Sequence, residues 1–162
     1  LNQYITKNNC RHLLEIGVYN GHNAVSMDKA ALTKSNPNQI TYYGFDYFNY
    51  YTMDKVKTRI EQLGCSCKLY QGDTLETLPE AVINLPSMDL IFIDAGKSYT
   101  AAKNDWQNAS ILMHKDTAAF IHNADYPGVS RVIDEIPPSK YHLNLFHEPG
   151  EGKIAQIKKR IQ

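Results

Sequence analysis

The sequence has few cysteines, no excess charge of either sign and no long apolar run. It contains 3 cysteines among 162 residues, and 17 basic residues balance 17 acidic ones. An odd cysteine count without a framework of pairs favours reduced thiols and a cytoplasmic protein. Because the charges balance, the chain has no excess of basic residues with which to bind nucleic acid, and we expect no nucleic-acid partner.

Further absences narrow the class of protein. No apolar stretch approaches the length of a membrane span and no signal peptide is visible, so we expect no membrane partner. Cys65 and Cys67 have no second pair with which to complete a zinc site. The length suits one domain with a sizeable core, and we therefore interpret residues 1–162 as a single domain.

What the sequence does contain is a regular alternation of strand-like and helix-like segments. The predicted strands cover residues 11–18, 39–46, 67–71, 88–94, 117–121, 141–146 and 154–159. The predicted helices cover residues 23–34, 52–63, 75–83, 98–113 and 129–136, and Thr74 is a candidate cap for the third of them. This alternation predicts a parallel sheet with helices on both faces. The last two strands, around a turn at residues 148–152, can pair antiparallel.

The stretch from His12 to Gly21 reads as an apolar strand that runs into a glycine-bearing turn ahead of a helix. Glycine lets the backbone approach a ligand closely, and a helix start offers unpaired N–H groups. A dinucleotide-binding turn would have the pattern G-x-G-x-x-G, but Tyr19 stands where the middle glycine is expected. The pattern is instead Glu15-x-Gly17-x-x-x-Gly21. A strand that ends in glycine without any ligand is the structural alternative.

Acidic residues recur where the predicted strands end. In an open α/β sheet, ligands bind outside the carboxyl ends of the strands. Asp46, Asp73, Asp94 and Asp125 lie at or just after four such ends. A carboxylate such as Asp46 can accept both hydroxyls of a ribose. Asp73 can accept from the exocyclic amine of adenine, with Thr74 or the backbone at a ring nitrogen, but helix capping explains Asp73 equally well.

Four segments, in order, resemble the motifs of class I S-adenosylmethionine-dependent methyltransferases of the small O-methyltransferase type. They are Glu15-x-Gly17-x-x-x-Gly21, Gly44-Phe45-Asp46, Gly72-Asp73-Thr74-Leu75-Glu76-Thr77-Leu78-Pro79 and Asp89-Leu90-Ile91-Phe92-Ile93-Asp94. The chain is similar to the group with catechol and caffeoyl-CoA O-methyltransferases and to the related methyltransferase 24 group, over nearly its whole length. The resemblance implies a Rossmann-like three-layer sandwich, with a seven-stranded, mostly parallel sheet and an antiparallel last strand.

The resemblance also implies a cofactor, S-adenosylmethionine, lying across the first half of the sheet. The residues implied as its contacts are Glu15, Gly17, Tyr19, Gly21, Asp46, Tyr47, Asp73, Thr74 and Asp94. Among them, Asp46 would hold the ribose and Tyr47 would pack on the adenine. The glycine turn would surround the methionine end.

The part of the resemblance that concerns catalysis is the segment Asp94-Ala95-Gly96-Lys97. In the catechol-type group, an Asp that ends this strand binds a divalent metal, and a Lys three residues later takes the proton from the substrate hydroxyl. Asp94 and Lys97 occupy these places, whereas the methyltransferase 24 group commonly has His at the position of Lys97. A bound cation lowers the pKa of a hydroxyl and positions its oxygen in line with the sulfonium methyl.

The fifth strand departs from the catechol-type pattern. That group has Asp-Asn as two further metal ligands, and this sequence has His122-Asn123. Asp94, His122 and Asn123 would then hold the metal, magnesium or manganese, with magnesium weakened by the nitrogen ligand. Alternatively no metal is bound and His122 is itself the general base, because an imidazole titrates near neutral pH. Asp125 could supply the missing carboxylate.

We therefore expect methyl transfer to the oxygen of a small-molecule hydroxyl. Two alternatives stay open: a catalytically degenerate S-adenosylmethionine-binding module of a larger assembly, and an NAD-dependent oxidoreductase, for which an obvious Tyr-x-x-x-Lys pair is missing. A nucleic-acid amino-methyltransferase is disfavoured, because Asp94-Ala95-Gly96-Lys97 stands in place of Asn/Asp-Pro-Pro-Tyr/Phe.

Relatives of this type place extra N-terminal helices over the substrate. Here only Leu1 to Cys10 precede the first strand. We expect one of three explanations: N-terminal lid helices missing from this sequence, a partner subunit such as the second copy in a homodimer, or a large substrate.

Overall fold

The computed structural model, which describes residues 1–148 and 152–160, has a seven-stranded sheet between two layers of helices. The strands are β1 (His12–Ile16), β2 (Thr41–Asp46), β3 (Ser66–Gln71), β4 (Met88–Ile93), β5 (Met113–Ile121), β6 (Tyr141–Glu148) and β7 (Gly152–Lys159). The helices are α1 (Asn2–Asn8), α2 (His22–Leu32), α3 (Met53–Glu61), α4 (Thr74–Ala81), α5 (Tyr99–Ile111) and α6 (Pro127–Asp134). Two short 3-10 helices, Pro37–Gln39 and Val82–Asn84, complete the described elements.

The strand order of the sheet is β3-β2-β1-β4-β5-β7-β6. The strands from β1 to β5 pair in parallel, and β7 is antiparallel to both β5 and β6. This confirms the expected Rossmann-like sandwich with an antiparallel last strand. Because the order reverses at β1, which lies between β2 and β4, a crevice opens where these strands end.

Apolar side chains cover both faces of the sheet. Leu13 and Phe120 belong to the core on one face, together with buried residues of α1, α2 and α3. Leu14 and Ile91 belong to the core on the other face, together with buried residues of α4, α5 and α6. Successive residues of a strand point to opposite faces, so strands buried on both sides must be apolar throughout, as the run around Ile91 is.

Some predicted boundaries are wrong. β5 begins at Met113 and not at residue 117, because Met113 already pairs with Met88 across an irregular register. α6 begins at Pro127 and not at residue 129, since proline suits the first turn of a helix. Asp73, and not Thr74, caps α4. Of the turn predicted at residues 148–152, the two end residues belong to β6 and β7, and residues 149–151 lie outside the described residues.

Cys10, Cys65 and Cys67 are free and buried. In the described part of the chain, no helix combines the length and the apolar character needed to cross a membrane.

Helix α2 contains a buried carboxyl group. Asp28 is fully buried, and its oxygens meet no strong hydrogen-bond donor among the described residues. Burial raises the pKa of Asp28 to about 7, and the weak S–H donor of Cys65 offsets this only in part. Below about pH 7 the folded protein therefore holds this group as the neutral acid.

Asp28→Asn is expected to make the protein more stable than wild type as the pH rises. The unfolded carboxyl ionises near pH ~4, whereas the folded one keeps its proton up to about pH 7. The protonated carboxyl of Asp28 thus stabilises the wild-type protein fully only below pH ~4. This stabilisation is lost as the pH rises from there through about 7. Between about pH 5 and about pH 8, the variant should gain on the order of 2 kcal/mol relative to wild type.

Urea unfolding followed by circular dichroism at both pH values measures this difference. Asp134→Asn, at an exposed carboxylate that ends α6, is the control. The difference in stability between this variant and wild type should be the same at both pH values. An equal stability difference between Asp28→Asn and wild type at both pH values would contradict the prediction.

Candidate active site

A cavity of about 610 Å³, which we call the edge pocket, opens at the carboxyl edge of the sheet. Its lining includes Gly17, Tyr19, Asp46, Tyr47, Asp73, Thr74, Asp94, Lys97, His122 and Asn123. These residues follow five different strands, from β1 to β5. Most of the predicted site residues are therefore brought together, because the carboxyl ends of parallel strands share one edge of a sheet.

The junction of β1 and β4 forms one wall of the edge pocket. The N–H of Gly17 donates to the carbonyl of Phe45 at 2.8 Å, and the N–H of Asp94 donates to the carbonyl of Ile16 at 2.8 Å. Gly17 has φ of 93°, and a Cβ at this position would lie 2.2 Å from the backbone oxygen of Asp94. Only glycine permits this approach, which explains the glycine at the start of the turn.

Asp46 is the last residue of β2, and its carboxylate accepts hydrogen bonds from the backbone of two turns. Oδ2 accepts the N–H of Tyr19 at 2.8 Å, and Oδ1 accepts the N–H of Phe48 at 2.7 Å. Tyr19 and Phe48 have φ of 52° and 54°, a left-handed conformation that turns each N–H toward the same side chain. Each carboxylate oxygen has a further lone pair, so Asp46 can still accept ribose hydroxyls.

Asp73 faces the edge pocket while it caps α4. Its carboxylate accepts the hydroxyl of Tyr47 and the N–H of Leu75, which together hold the pKa of Asp73 below its ordinary value. Thr74 is buried, and its hydroxyl lies against the buried carboxyl of Asp105. Asp73 and Tyr47 are thus placed together at the pocket, whereas the hydroxyl of Thr74 is engaged in the core.

Three side chains meet beyond the end of β4, and we call them the Asp94 cluster. Nζ of Lys97 donates to Oδ1 of Asp94 at 2.6 Å, and Nδ1 of His122 lies 3.0 Å from the same oxygen. Ser98 caps α5 by accepting the N–H of Ala101, so Lys97 lies in a short loop between β4 and α5. The three side chains are 20–35% exposed. The Asp94 cluster is therefore partly shielded from water and opens into the edge pocket.

The side chains of this cluster are paired with one another. Oδ1 of Asp94 accepts from the ammonium group of Lys97, and Nδ1 of His122 lies beside the same oxygen. In residues 1–148 and 152–160, no group of three or more His, Cys, Asp or Glu side chains could hold a metal ion. Asn123 adds a neutral amide at most. The metal at Asp94, His122 and Asn123 stays a prediction.

Two residues of the predicted cofactor set lie behind the pocket lining. Gly21 is the N-cap of α2 and packs against Val56 of α3. Glu15 is fully buried in β1, and the hydroxyl of Tyr42 on β2 donates to its carboxylate. Burial raises the pKa of Glu15 to about 8. Neither residue is among the described lining of the edge pocket, so their contact with the cofactor stays a prediction.

Several lining residues were not predicted from the sequence. They are Asn20, His22, Asn23, Asn49 and Tyr50. They lie in the loops after β1 and β2 and in the first turn of α2. Ligands bind outside the carboxyl ends of the strands. If this rule is applied to the whole loop after each strand, and not only to the last strand residue, it includes these residues. Tyr50 is 86% exposed, and its ring centre lies 6.1 Å from that of Tyr19 at the mouth of the pocket.

Solved structures share this fold. The O-methyltransferase TomG from Streptomyces achromogenes, in complex with SAM, has a TM-score of 0.82 at 16% identity, over 99% of this chain and 78% of that one. The O-methyltransferase from Bacillus cereus, in complex with SAH, has a TM-score of 0.79 at 17% identity, over 98% and 78%. CalS11, a TDP-rhamnose 3'-O-methyltransferase of calicheamicin biosynthesis, has a TM-score of 0.78 at 19% identity, over 96% and 74%. At these identities the likeness defines the fold, which is that of S-adenosylmethionine-dependent O-methyltransferases.

The sequence itself defines the family. Residues 14–124 match the methyltransferase domain family Methyltransf_24. The match covers more than half of the chain, and the chain belongs to this methyltransferase family. The resemblance inferred from the motifs is thereby confirmed. Among curated proteins, no sequence matches this chain.

Proposed function

We propose that this chain uses S-adenosylmethionine to methylate the hydroxyl oxygen of a small molecule. The observation that carries the proposal is the Asp94 cluster, in which an imidazole hydrogen-bonds a carboxylate at the edge of a pocket that also contains Asp46 and Asp73. Two relatives of the same fold were crystallised with SAM or SAH, which supports the choice of cofactor. We also propose that residues 1–162 act as one catalytic domain.

The cofactor would lie in the edge pocket. Asp46 would accept both ribose hydroxyls on its two fixed oxygens. Asp73 would accept from the adenine amine, and the half-exposed ring of Tyr47 would pack against the base. The close approach of the backbone at Gly17 leaves room for the methionine end. When bound, S-adenosylmethionine supplies an electrophilic methyl group on a sulfonium.

His122 is the proposed general base. In the tautomer that we propose, Nδ1 donates to Asp94 and the lone pair of Nε2 accepts the proton of the acceptor hydroxyl. Asp94 fixes this tautomer and stabilises the imidazolium that forms. Lys97 donates to the same carboxylate as an ammonium, so its role here is to hold Asp94 in place. At the end of the step the proton is on His122, the methyl group is on the acceptor oxygen, and the neutral thioether has left.

Calorimetric titration with S-adenosylhomocysteine tests the cofactor assignment. We expect micromolar binding, weakened about 10–100-fold in Asp46→Ala because two charge-assisted hydrogen bonds are lost. Asp46→Asn, which keeps an acceptor for one backbone N–H, separates the loss of charge from the loss of the turn. Asp54→Ala, at an exposed aspartate of α3, is the matched control and should bind like wild type. A folded protein that does not bind S-adenosylhomocysteine would contradict the proposal.

A further inference from the structure

Helix α3 contacts the glycine turn, residues 17–21, from outside the edge pocket. Gly17, Tyr19 and Asn20 of this turn line the pocket, whereas no residue of α3 is among the described lining. Nη1 of Arg59 on α3 donates to the carbonyl oxygen of Asn20 at 2.6 Å. Arg59 would therefore act on a molecule in the pocket through the turn.

The carbonyl that Arg59 contacts lies ahead of α2. Gly21 is the N-cap of α2, and its carbonyl accepts the N–H of Val25 at 3.1 Å, which begins the hydrogen-bond ladder of the helix. The carbonyl of Asn20 precedes this ladder, and its donor comes from another element of the fold. The donor is a guanidinium, and hydrogen bonds from charged groups are stronger than those between neutral groups.

A second contact between α3 and the glycine turn is apolar. Val56 and Ile60, one turn apart on α3, are both buried. A Cβ at Gly21 would lie 3.0 Å from Cγ1 of Val56 and 3.7 Å from Cδ1 of Ile60. The N–H of Gly21 donates to the carbonyl of Val18 at 3.0 Å, which closes the turn. The helix thus packs closely against the end of the turn.

The turn is held from β2 as well as from α3. The N–H of Tyr19 donates to Oδ2 of Asp46 at 2.8 Å, and the next residue, Asn20, accepts from Arg59. Arg59 is exposed and forms no ion pair in the described part of the chain. Its charge is therefore directed at the turn and not at a neighbouring carboxylate.

We propose that Arg59 is a positioning residue for the cofactor, which holds the glycine turn in the shape that S-adenosylmethionine needs. This inference rests on the proposed function and deepens it, because it assigns a residue outside the pocket to the cofactor site. A loop that is already ordered loses less conformational freedom when a ligand binds, and the affinity is higher. Without the guanidinium, the cofactor itself would have to order the turn.

Calorimetric titration of Arg59→Met with S-adenosylhomocysteine tests the inference. Methionine keeps an aliphatic side chain on the helix but cannot donate a hydrogen bond, and we expect binding about 3–10-fold weaker than in wild type. Arg59→Lys keeps a charged donor and should recover most of the affinity. Lys55→Met, at an exposed lysine one turn earlier on α3, is the matched control and should bind like wild type.

Amide hydrogen exchange of the free protein measures whether the turn itself loosens. The N–H groups of Tyr19 and Gly21 are both hydrogen-bonded in the turn. In Arg59→Met they should exchange at least about threefold faster than in wild type, because the turn opens more often. The amides of β1, in the middle of the sheet, should keep their wild-type exchange rates.

The two measurements distinguish failure of this inference from failure of the proposed function. Weaker binding in Arg59→Met, recovery in Arg59→Lys and faster exchange at Tyr19 and Gly21 support the positioning role. Wild-type affinity in Arg59→Met overturns this role, as does weaker binding with unchanged exchange at the turn or without recovery in Arg59→Lys, and the proposed function then stands. If folded wild-type protein does not bind S-adenosylhomocysteine, the proposed function fails and the role of Arg59 fails with it.

Discussion

Replacing His122 by alanine is expected to lower kcat for methyl transfer by about 10²–10⁴-fold, the usual contribution of a general base. A neutral hydroxyl attacks the methyl carbon poorly, and the imidazole bonded to Asp94 is the group that we propose takes its proton. Affinity for S-adenosylhomocysteine should change less than about threefold, because the proposed ribose and base contacts lie at Asp46 and Asp73. Transfer of labelled methyl groups to a phenol such as 4-hydroxycinnamate or catechol measures kcat, and calorimetry measures the affinity.

Two further variants separate catalysis from structure. Asp94→Asn should also lower kcat, because an amide can donate to Nδ1 and so favour the wrong tautomer of His122. His142→Ala is the matched control, since His142 is an exposed residue of β6 whose ring nitrogen contacts Arg160. It should retain wild-type kcat. Unchanged kcat in His122→Ala would contradict the role of general base and leave Lys97 or a metal to activate the acceptor.

Gly17→Ala is expected to remove cofactor binding and to destabilise the fold by about 2–5 kcal/mol. The new Cβ would lie 2.2 Å from the backbone oxygen of Asp94, and that backbone cannot move without separating β1 from β4. The φ of 93° at Gly17 adds strain for any L side chain. The midpoint of thermal unfolding should fall by roughly 5–15 °C.

Gly64→Ala is the matched control for this change. Gly64 also has positive φ, 76°, but its nearest neighbour would be a side-chain atom of Pro37 at an ordinary 3.5 Å. The free energy of unfolding of this variant should fall only by the strain of the left-handed conformation, about 1–2 kcal/mol. The variant should bind S-adenosylhomocysteine like wild type. Equal thermal midpoints for the two variants, with cofactor binding retained in Gly17→Ala, would show that the contact between Gly17 and Asp94 is not needed.

The positions of Asp46, Asp94 and His122 could be predicted from the sequence, because each lies at the end of an apolar run. Once those runs are parallel strands of one sheet, their ends must meet at one edge. The side-chain partner of Glu15 could not be predicted in this way. Its burial depends on the register that pairs β1 with β2 and lets the hydroxyl of Tyr42 reach it.

The placement of α1 was also beyond the sequence. This helix lies over β5, where Tyr4 meets Phe120, and these residues are far apart along the chain. The periodicity of α1 indicates a helix but does not specify which strand it covers. The same holds for Lys7, whose position beside Phe92 and Phe120 arises only from tertiary packing.

Formation of an O-methyl product from S-adenosylmethionine tests the central claim most directly. Metal-stripped protein is incubated with the cofactor and 4-hydroxycinnamate or catechol, with excess EDTA or with added manganese, and the products are identified by mass spectrometry. The account predicts a methyl ether and an equal amount of S-adenosylhomocysteine, at the same rate with EDTA as with manganese. A product that forms only with manganese would contradict the metal-independent base. Tight binding of the cofactor without any methylated product would contradict the claim of catalysis and identify the chain as a binding module.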